Sequence, residues 1–215
     1  MIEFEKDKIR KGIPKILEEM KRRSFDPHFF ETAAEARDFI VGQISPGETV
    51  GIGGSVTLRE DLAVVGELRK KGITVVDHWD AGADAALRLE LKRRQRTVDV
   101  FLTGVNAATR DGILVNLDGG GNRVAGACSG PKRVIAAFGM NKLTDSLELA
   151  IHRTRHHAAI INSIRLKRKV PCAQTGICTD CNAPERICAA LLILLTKPGD
   201  IDKFTLVLVN EDLGY

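Results

Sequence analysis

Four of the five cysteines, Cys172, Cys178, Cys181 and Cys188, fall within PCAQTGICTDCNAPERIC at the spacing C-x5-C-x2-C-x6-C. A thiolate is a metal ligand and a redox group, so the segment admits disulfides, a bound metal or cluster, or free reduced thiols. The central C-x-x-C can form a two-ligand knuckle. The outer pair can then close a four-thiolate shell for zinc or an iron-sulfur cluster. The spacing matches neither a two-knuckle zinc ribbon nor the C-x2-C-x2-C run of ferredoxins, which keeps buried reduced cysteines open as the alternative. Gly176, Asp180, Asn182 and Pro184 supply turns that serve a metal loop or a metal-free one. The odd fifth thiol, Cys128, fits poorly with full pairing and reads first as a small buried residue, second as a reactive thiol.

Two further stretches carry polar chemistry. In VGIGGSVTLRE a short strand runs through Gly53 and Gly54 into Ser55 and Thr57 at a helix start, where backbone N–H groups attract anions such as phosphate or carboxylate. The spacing is neither the dinucleotide G-x-G-x-x-G nor a Walker loop. The structural alternative is a tight strand-to-helix turn capped by Ser55. Glu60, one turn on, is a candidate general base or an ordinary solvated residue. In TGVNAATRDGILVNLDGGGNRVA a predicted strand, 99–103, opens into Asn106, Asn116, Asp118, Asn122 and Arg123, groups suited to sugar hydroxyls, phosphate or a carboxylate. Asp118 is the second candidate base. The two Asp-Gly pairs are also hairpin-turn signals, so these groups serve a site or only satisfy backbone. Lys132, in GACSGPKRVI, is a further candidate anion ligand. His156 and His157 read as part of a solvated basic helix face.

These groups must be positioned by a chain of 215 residues, 44% of them hydrophobic, enough for one sizeable core. Its 32 Lys and Arg nearly balance 28 Asp and Glu, and the excess is not gathered into a block, which argues against nucleic acid. The N-terminal stretch has no continuous apolar run, so neither a secretory signal nor a membrane anchor is expected, and the protein is expected to be cytoplasmic, where clustered cysteines serve metals or redox chemistry. Apolar positions at helical spacing predict helices over 3–23, possessing an internal Pro14, and over 32–44, with a capping box from Thr32 to Glu35. Thereafter TVGIGG, ITVVDHW, VDVFLTG and KRVIAAFG read as strands. They alternate with amphipathic helices at TLREDLAVVGELRKKG, AGADAALRLELKRRQ and LTDSLELAIHRTRHHAAIINSIRLKRK. This order predicts an α/β fold with a mostly parallel sheet covered by helices on both faces. AALLILLTKP and FTLVLVNEDLGY are predicted to close the chain as an antiparallel hairpin. The expected organisation is a helical segment, 1–41, followed by one α/β domain, 42–215.

Together, GIGGSVTLRE, DVFLTGVNAATRDGILVNLDGGGNRVA, SGPKRVI, GMNKL and PCAQTGICTDCNAPERIC resemble the lactate-utilisation (LUD) domain family, from about Gly42 onward. The resemblance implies the fold of ribose-5-phosphate isomerase and the CoA-transferases. GIGGSVT is similar to the phosphate loop of the sugar-phosphate isomerases of that fold, which implies an anion role for Gly53, Gly54, Ser55 and Thr57. NLDGGGNR falls where the fold places substrate-facing loops, implicating Asn116, Asp118 and Asn122. The glutamate nucleophile context of the CoA-transferases is not recognisable, so acyl-CoA chemistry is not implied. Some family members are encoded with iron-sulfur and flavin-associated proteins that oxidise L-lactate to pyruvate. The resemblance therefore implies 2-hydroxy-acid utilisation, a small anionic metabolite as ligand, other lactate-oxidation subunits as partners, and a cluster in preference to zinc. A stand-alone sugar-phosphate isomerase-like or transferase-like enzyme, with Asp118 or Glu60 as base, and a non-enzymatic redox-sensing or assembly protein remain the alternatives.

Overall fold

A computed structural model describes residues 3–215; Met1 and Ile2, at the start of the stretch read above as lacking an apolar leader, lie outside them. The first half runs α1 (Glu3–Arg22), β1 (Asp26–Phe30), α2 (Ala33–Gly42), β2 (Thr49–Ile52), α3 (Val64–Lys70), β3 (Thr74–Val76), α4 (Ala85–Arg94) and β4 (Val100–Gly104). It continues with β5 (Ala107–Thr109), β6 (Leu114–Asp118), α5 (Asn122–Cys128), β7 (Arg133–Gly139), β8 (Leu143–Thr144) and α6 (Leu147–Arg153). The chain ends with α7 (Ala159–Arg165), α8 (Pro171–Thr175), β9 (Ala190–Leu194) and β10 (Lys203–Val209).

Six strands form one all-parallel sheet in the order β1-β10-β7-β4-β2-β3. Its central strands are apolar on both faces because successive side chains point to opposite sides. Phe101, Phe138, Phe204 and Leu206 join Ile9, Ile13, Ile16 and Met20 of α1 in one core. Val100, Leu102, Ile135 and Val207 join Ile40, Leu58, Leu62 and Leu68 in the other. The α/β reading with helices on both faces therefore holds. The capping box is present as expected: Thr32 Oγ1 accepts from Glu35 N, and the Glu35 carboxylate accepts from Thr32 N. Among the described residues no helix is long and apolar enough to cross a membrane.

Three expectations change. The 1–41 segment is not only helical: it carries β1, and α1 packs on the shared core. Pro27 hides this strand from a propensity reading, yet among the described residues β1 pairs with β10 alone and lies at the sheet edge, where a missing N–H is tolerated. The closing hairpin does not form. β10 is buried within the parallel sheet between β1 and β7, whereas β9 is antiparallel to β6 at the edge of a four-stranded sheet, β8-β5-β6-β9. FTLVLV is apolar on both faces, as an interior parallel strand requires, and β9 leaves Leu191 exposed. Finally, the helix read across 57–72 is broken. A π-helical turn, Thr57–Asp61, is separated from α3 by Ala63 in the left-handed region at φ 51°. A second π turn, Thr154–Ala158, interrupts the long helix between α6 and α7.

Candidate functional site

The strand order reverses between β2 and β4, since the chain steps from β2 outward to β3 and then returns to β2's other side. Ligands of open α/β sheets bind outside the carboxyl ends of strands at such a point. There, Gly53 and Gly54 leave β2, Gly104 ends β4, and a 3-10 turn, Met140–Lys142, follows β7. Close packing demands glycine at two of these positions: a Cβ on Gly104 would lie 2.7 Å from Ser55 Oγ, and one on Gly53 would lie 2.9 Å from the Phe101 ring.

Two cavities open at this end. The smaller, about 50 Å³, is lined by Gly54, Ser55, Thr57, Asn106, Lys142 and Thr154 among others. The larger, about 660 Å³, includes His78, Trp79, Lys92, Asp118, Arg165 and Arg186 in its wall. Both share Gly54, Leu117, Arg123, Asn162 and Ile187, so the small one is a recess of the large. The π turns bring Thr57 and Thr154 to the recess, a use to which such turns are often put.

The recess is electropositive. Lys142 is 4% exposed; its Nζ donates to Thr57 Oγ1 at 3.3 Å and has no carboxylate within ion-pair distance among the described residues. Burial, with the charges of Arg153 and Arg123, pushes its pKa down to about 7 against a weak opposing pull from Asp61. Arg123 donates to the Leu117 carbonyl and Arg153 to the carbonyls of Asn106, at 2.6 Å, and Asn141, at 3.1 Å. Burial lowers the pKa of both guanidiniums. Carbonyl dipoles hold these cations without cancelling their charge. Thr154 Oγ1, on a fully buried residue, has no hydrogen-bond partner among the described residues. A buried ammonium and an orphaned hydroxyl facing one recess suit an anionic oxygen.

The sequence-read residues divide. Gly53, Gly54, Ser55, Thr57, Asn106, Asp118, Asn122 and Arg123 come together around the two cavities. Several are engaged in holding the loops. Ser55 Oγ accepts from Leu58 N at 3.3 Å, a bond of the kind the tight-turn alternative called for, although Val56 is the residue at the N-cap position of the π turn. Asn116 Oδ1 accepts from Asn106 N at 3.1 Å, and Asn106 Oδ1 accepts from Leu117 N at 2.9 Å, which ties the β5 and β6 strands together; Asn116 itself lines neither cavity. The Asp118 carboxylate accepts from Gly120 N at 3.0 Å and Arg123 N at 2.7 Å, pinning the start of α5, a helix the turn-rich sequence conceals. Glu60 is exposed and lines neither cavity. Lys132 is exposed beside Asp99, 3.6 Å away, before the first residues of β7 and β4, the end of the sheet opposite the cavities. Cys128 is exposed at the end of α5, not buried. His156 and His157 are exposed, as a solvated face requires.

The four clustered cysteines form no disulfide among the described residues and are partly buried. Among the described residues no three His, Cys, Asp or Glu side chains, the four thiols included, are placed to share a metal ion. Their segment is instead organised by Arg186, which donates to the carbonyls of Cys181, at 2.6 Å, and Cys188, at 3.1 Å, and to Asp180. It packs on the glycine loop: Ala189 N donates to the Asp118 carbonyl at 3.1 Å, and a Cβ on Gly119 would lie 2.8 Å from Ile187 Cα. Pro184, Glu185, Arg186 and Ile187 thereby become a cavity wall.

Sequence reading missed Lys142, within GMNKL, although a cation just past a predicted strand's carboxyl end was a signal. It also missed Asp77, His78 and Gln95. Asp77 is 1% exposed and accepts from both terminal nitrogens of Arg59, whose guanidinium stacks 4.0 Å over Trp79. Burial pushes Asp77 up, but the hydrogen bonds from Arg59 and Trp79 N outweigh it and hold the carboxylate below its usual range.

Comparison with known proteins agrees with this architecture. No curated protein matches the chain. The crystal structure of a DUF162 family protein from Deinococcus radiodurans superposes with a TM-score of 0.55 at 13% identity, over 93% of this chain and 97% of that one. Ribose 5-phosphate isomerase A from Neisseria gonorrhoeae overlays 52% of this chain and 52% of its own at 18% identity and a TM-score of 0.36. The LUD domain model matches residues 13–209, which takes in the second half of α1, every strand of both sheets and all of the cavity lining except Gly214 and Tyr215, and the chain accordingly belongs to the LUD domain family.

Proposed function

We propose that the chain binds a small anionic metabolite in the recess, a carboxylate of the 2-hydroxy- or 2-oxo-acid kind or a phosphate ester, as a ligand-handling protein of 2-hydroxy-acid utilisation. Lys142 carries the reading. A lysine buried without a carboxylate is costly unless something else supplies negative charge. An anionic oxygen in the recess would meet Nζ of Lys142 and the hydroxyls of Thr57 and Thr154. The larger cavity extends the same preference, since Arg88, Lys92, Arg165, Arg168 and Arg186 outnumber Asp118 and Glu185 in its wall. Membership of the LUD family supports the metabolic assignment.

A thermal-unfolding panel of L-lactate, glycolate, pyruvate, inorganic phosphate and ribose 5-phosphate tests this. A ligand at a hundred times its Kd stabilises by about 2.7 kcal/mol, roughly 5–10 °C for a domain of this size. At least one of these anions stabilises the wild type and not Lys142→Met. Failure of all five ends the reading.

The same lysine favours a second reading, an enzyme that moves a proton beside a carbonyl. A pKa of about 7 gives Lys142 both protonation states near neutrality, as acid-base work requires. Deuterium exchange into pyruvate or a sugar phosphate, catalysed by the wild type and lost in Lys142→Met, identifies that activity; absence of exchange leaves binding alone.

A further inference from the structure

His78 follows Asp77 just beyond the carboxyl end of β3 and lines the larger cavity against Gly54. Its chemistry is decided by Gln95, a fully buried residue at the end of α4. The Gln95 side-chain nitrogen donates to the Ile52 carbonyl and lies 2.8 Å from His78 Nδ1. Its Oε1 accepts from Asn122 Nδ2 at 3.3 Å. A backbone carbonyl only accepts, so the nitrogen end of the Gln95 amide must face Ile52. Turning the amide over would set two acceptors against each other and lose the Asn122 bond. An amide nitrogen has two hydrogens. One goes to Ile52 O, and the other is left for His78 Nδ1, which therefore accepts. The proton of the neutral ring then sits on Nε2.

Nε2 has no protein partner among the described residues, and a Cβ built on Gly54 would stand 3.4 Å from it. Gly54 sits at φ 62°, so the loop both needs glycine and leaves the imidazole edge open to the cavity. We infer that His78 presents a tautomer-fixed Nε2–H donor to an anionic oxygen of the ligand in the larger cavity, with Gln95 as the residue that fixes the tautomer. This inference rests on the anion reading above. A charged ring would place a hydrogen on Nδ1 against the Gln95 donor, so the network itself opposes protonation. Burial acts in the same direction, with Lys92 and Arg59 adding to it and Asp77 and Asp118 opposing, and the pKa falls to about 4. The donor is thus neutral and constant across physiological pH. That complements the ammonium of Lys142, which titrates there.

The test is 15N NMR of the imidazole nitrogens in histidine-labelled protein, with His78 identified among the five histidines by its loss in His78→Gln, and inorganic phosphate and pyruvate as probes. The expected spectrum is a neutral Nε2–H ring from about pH 5 to 8, its Nε2 resonance moving when the probe that binds is added. His78→Leu weakens that probe about 10-fold, while His78→Gln, which keeps a neutral N–H donor, stays within about 3-fold of wild type. Gln95→Glu puts an acceptor opposite Nδ1 and moves the proton to that nitrogen. If this buried variant does not fold, the wild-type spectrum and the two His78 variants decide the matter. An Nδ1–H or charged ring at neutral pH overturns the inference. So does an Nε2 resonance unmoved by a probe whose binding depends on Lys142, which would leave the anion reading standing. If neither probe binds the wild type, the ligand role of His78 falls together with that reading.

Discussion

Lys142→Met should stabilise the empty protein, and the gain should fade as pH rises. Methionine keeps the unbranched stem and removes the ammonium. The lysine pKa is 10.5 when exposed and about 7 in the fold. At about 1.4 kcal/mol per pH unit, the charged form therefore costs the folded state up to about 5 kcal/mol. The sign follows from proton counting. Below about pH 7 both states hold the proton and the full penalty applies. Between about 7 and 10.5 the unfolded chain binds more protons than the folded one, so wild-type stability recovers as pH rises. Loss of the Thr57 hydrogen bond and imperfect packing of the methionine offset part of the gain. A net stabilisation of about 2 kcal/mol at pH 6.5 is expected, or about 4–8 °C in midpoint. Urea unfolding at pH 6.5 and 9.5 measures it. A variant less stable than wild type at pH 6.5, or a difference that does not change with pH, would show that Lys142 is compensated inside the protein, and the recess would need no anion.

Four other outcomes follow from the same contacts. Asp77→Asn strands the Arg59 guanidinium and costs about 3–5 kcal/mol, seen as a lowered urea midpoint; because the Asp77 pKa is depressed, the wild-type contribution is present above the ordinary carboxylate range and is lost as pH falls through the folded value. Gly119→Ala drives a Cβ into the Ile187 backbone, costs about 1–3 kcal/mol, and weakens ligand binding by displacing the cysteine-bearing wall. Thr32→Ala removes the capping box of α2 and costs about 1 kcal/mol, with no effect on binding. A thiol reagent modifies exposed Cys128 before the four clustered cysteines, and protection of those four by zinc or ferrous iron would reveal that their loop rearranges into a shell.

The parts of the fold legible in the sequence are those where one local pattern decides. Ile9, Ile13, Ile16 and Met20 repeat at helical spacing, and the apolar runs of β4 and β7 are too continuous for anything but a sheet buried on both faces. What escaped depends on partners distant in the chain. β1 is a strand because β10, 179 residues beyond Asp26, offers an edge to it. The partners of β9 and β10 are chosen by which faces the two sheets must cover, not by the short turn between them. Within the site, glycines and a C-terminal strand end announced the loop, and the family resemblance sharpened it. The ionic chemistry did not show. Lys142, His78 and Gln95 come from separate elements, and neither a buried lysine nor a fixed tautomer has a signature in residue type alone. Glu60 and Lys132 had the right type and stand on the wrong surface.

The most direct test of the anion-binding recess is calorimetric titration of inorganic phosphate and pyruvate into the wild type at pH 8, in buffers of different ionisation enthalpy. Binding should draw up to one proton per site into the protein as the anion raises the pKa of Lys142, and Lys142→Met should show neither that uptake nor comparable affinity. Binding of equal strength in Lys142→Met, or binding by the wild type without proton uptake, would contradict the account.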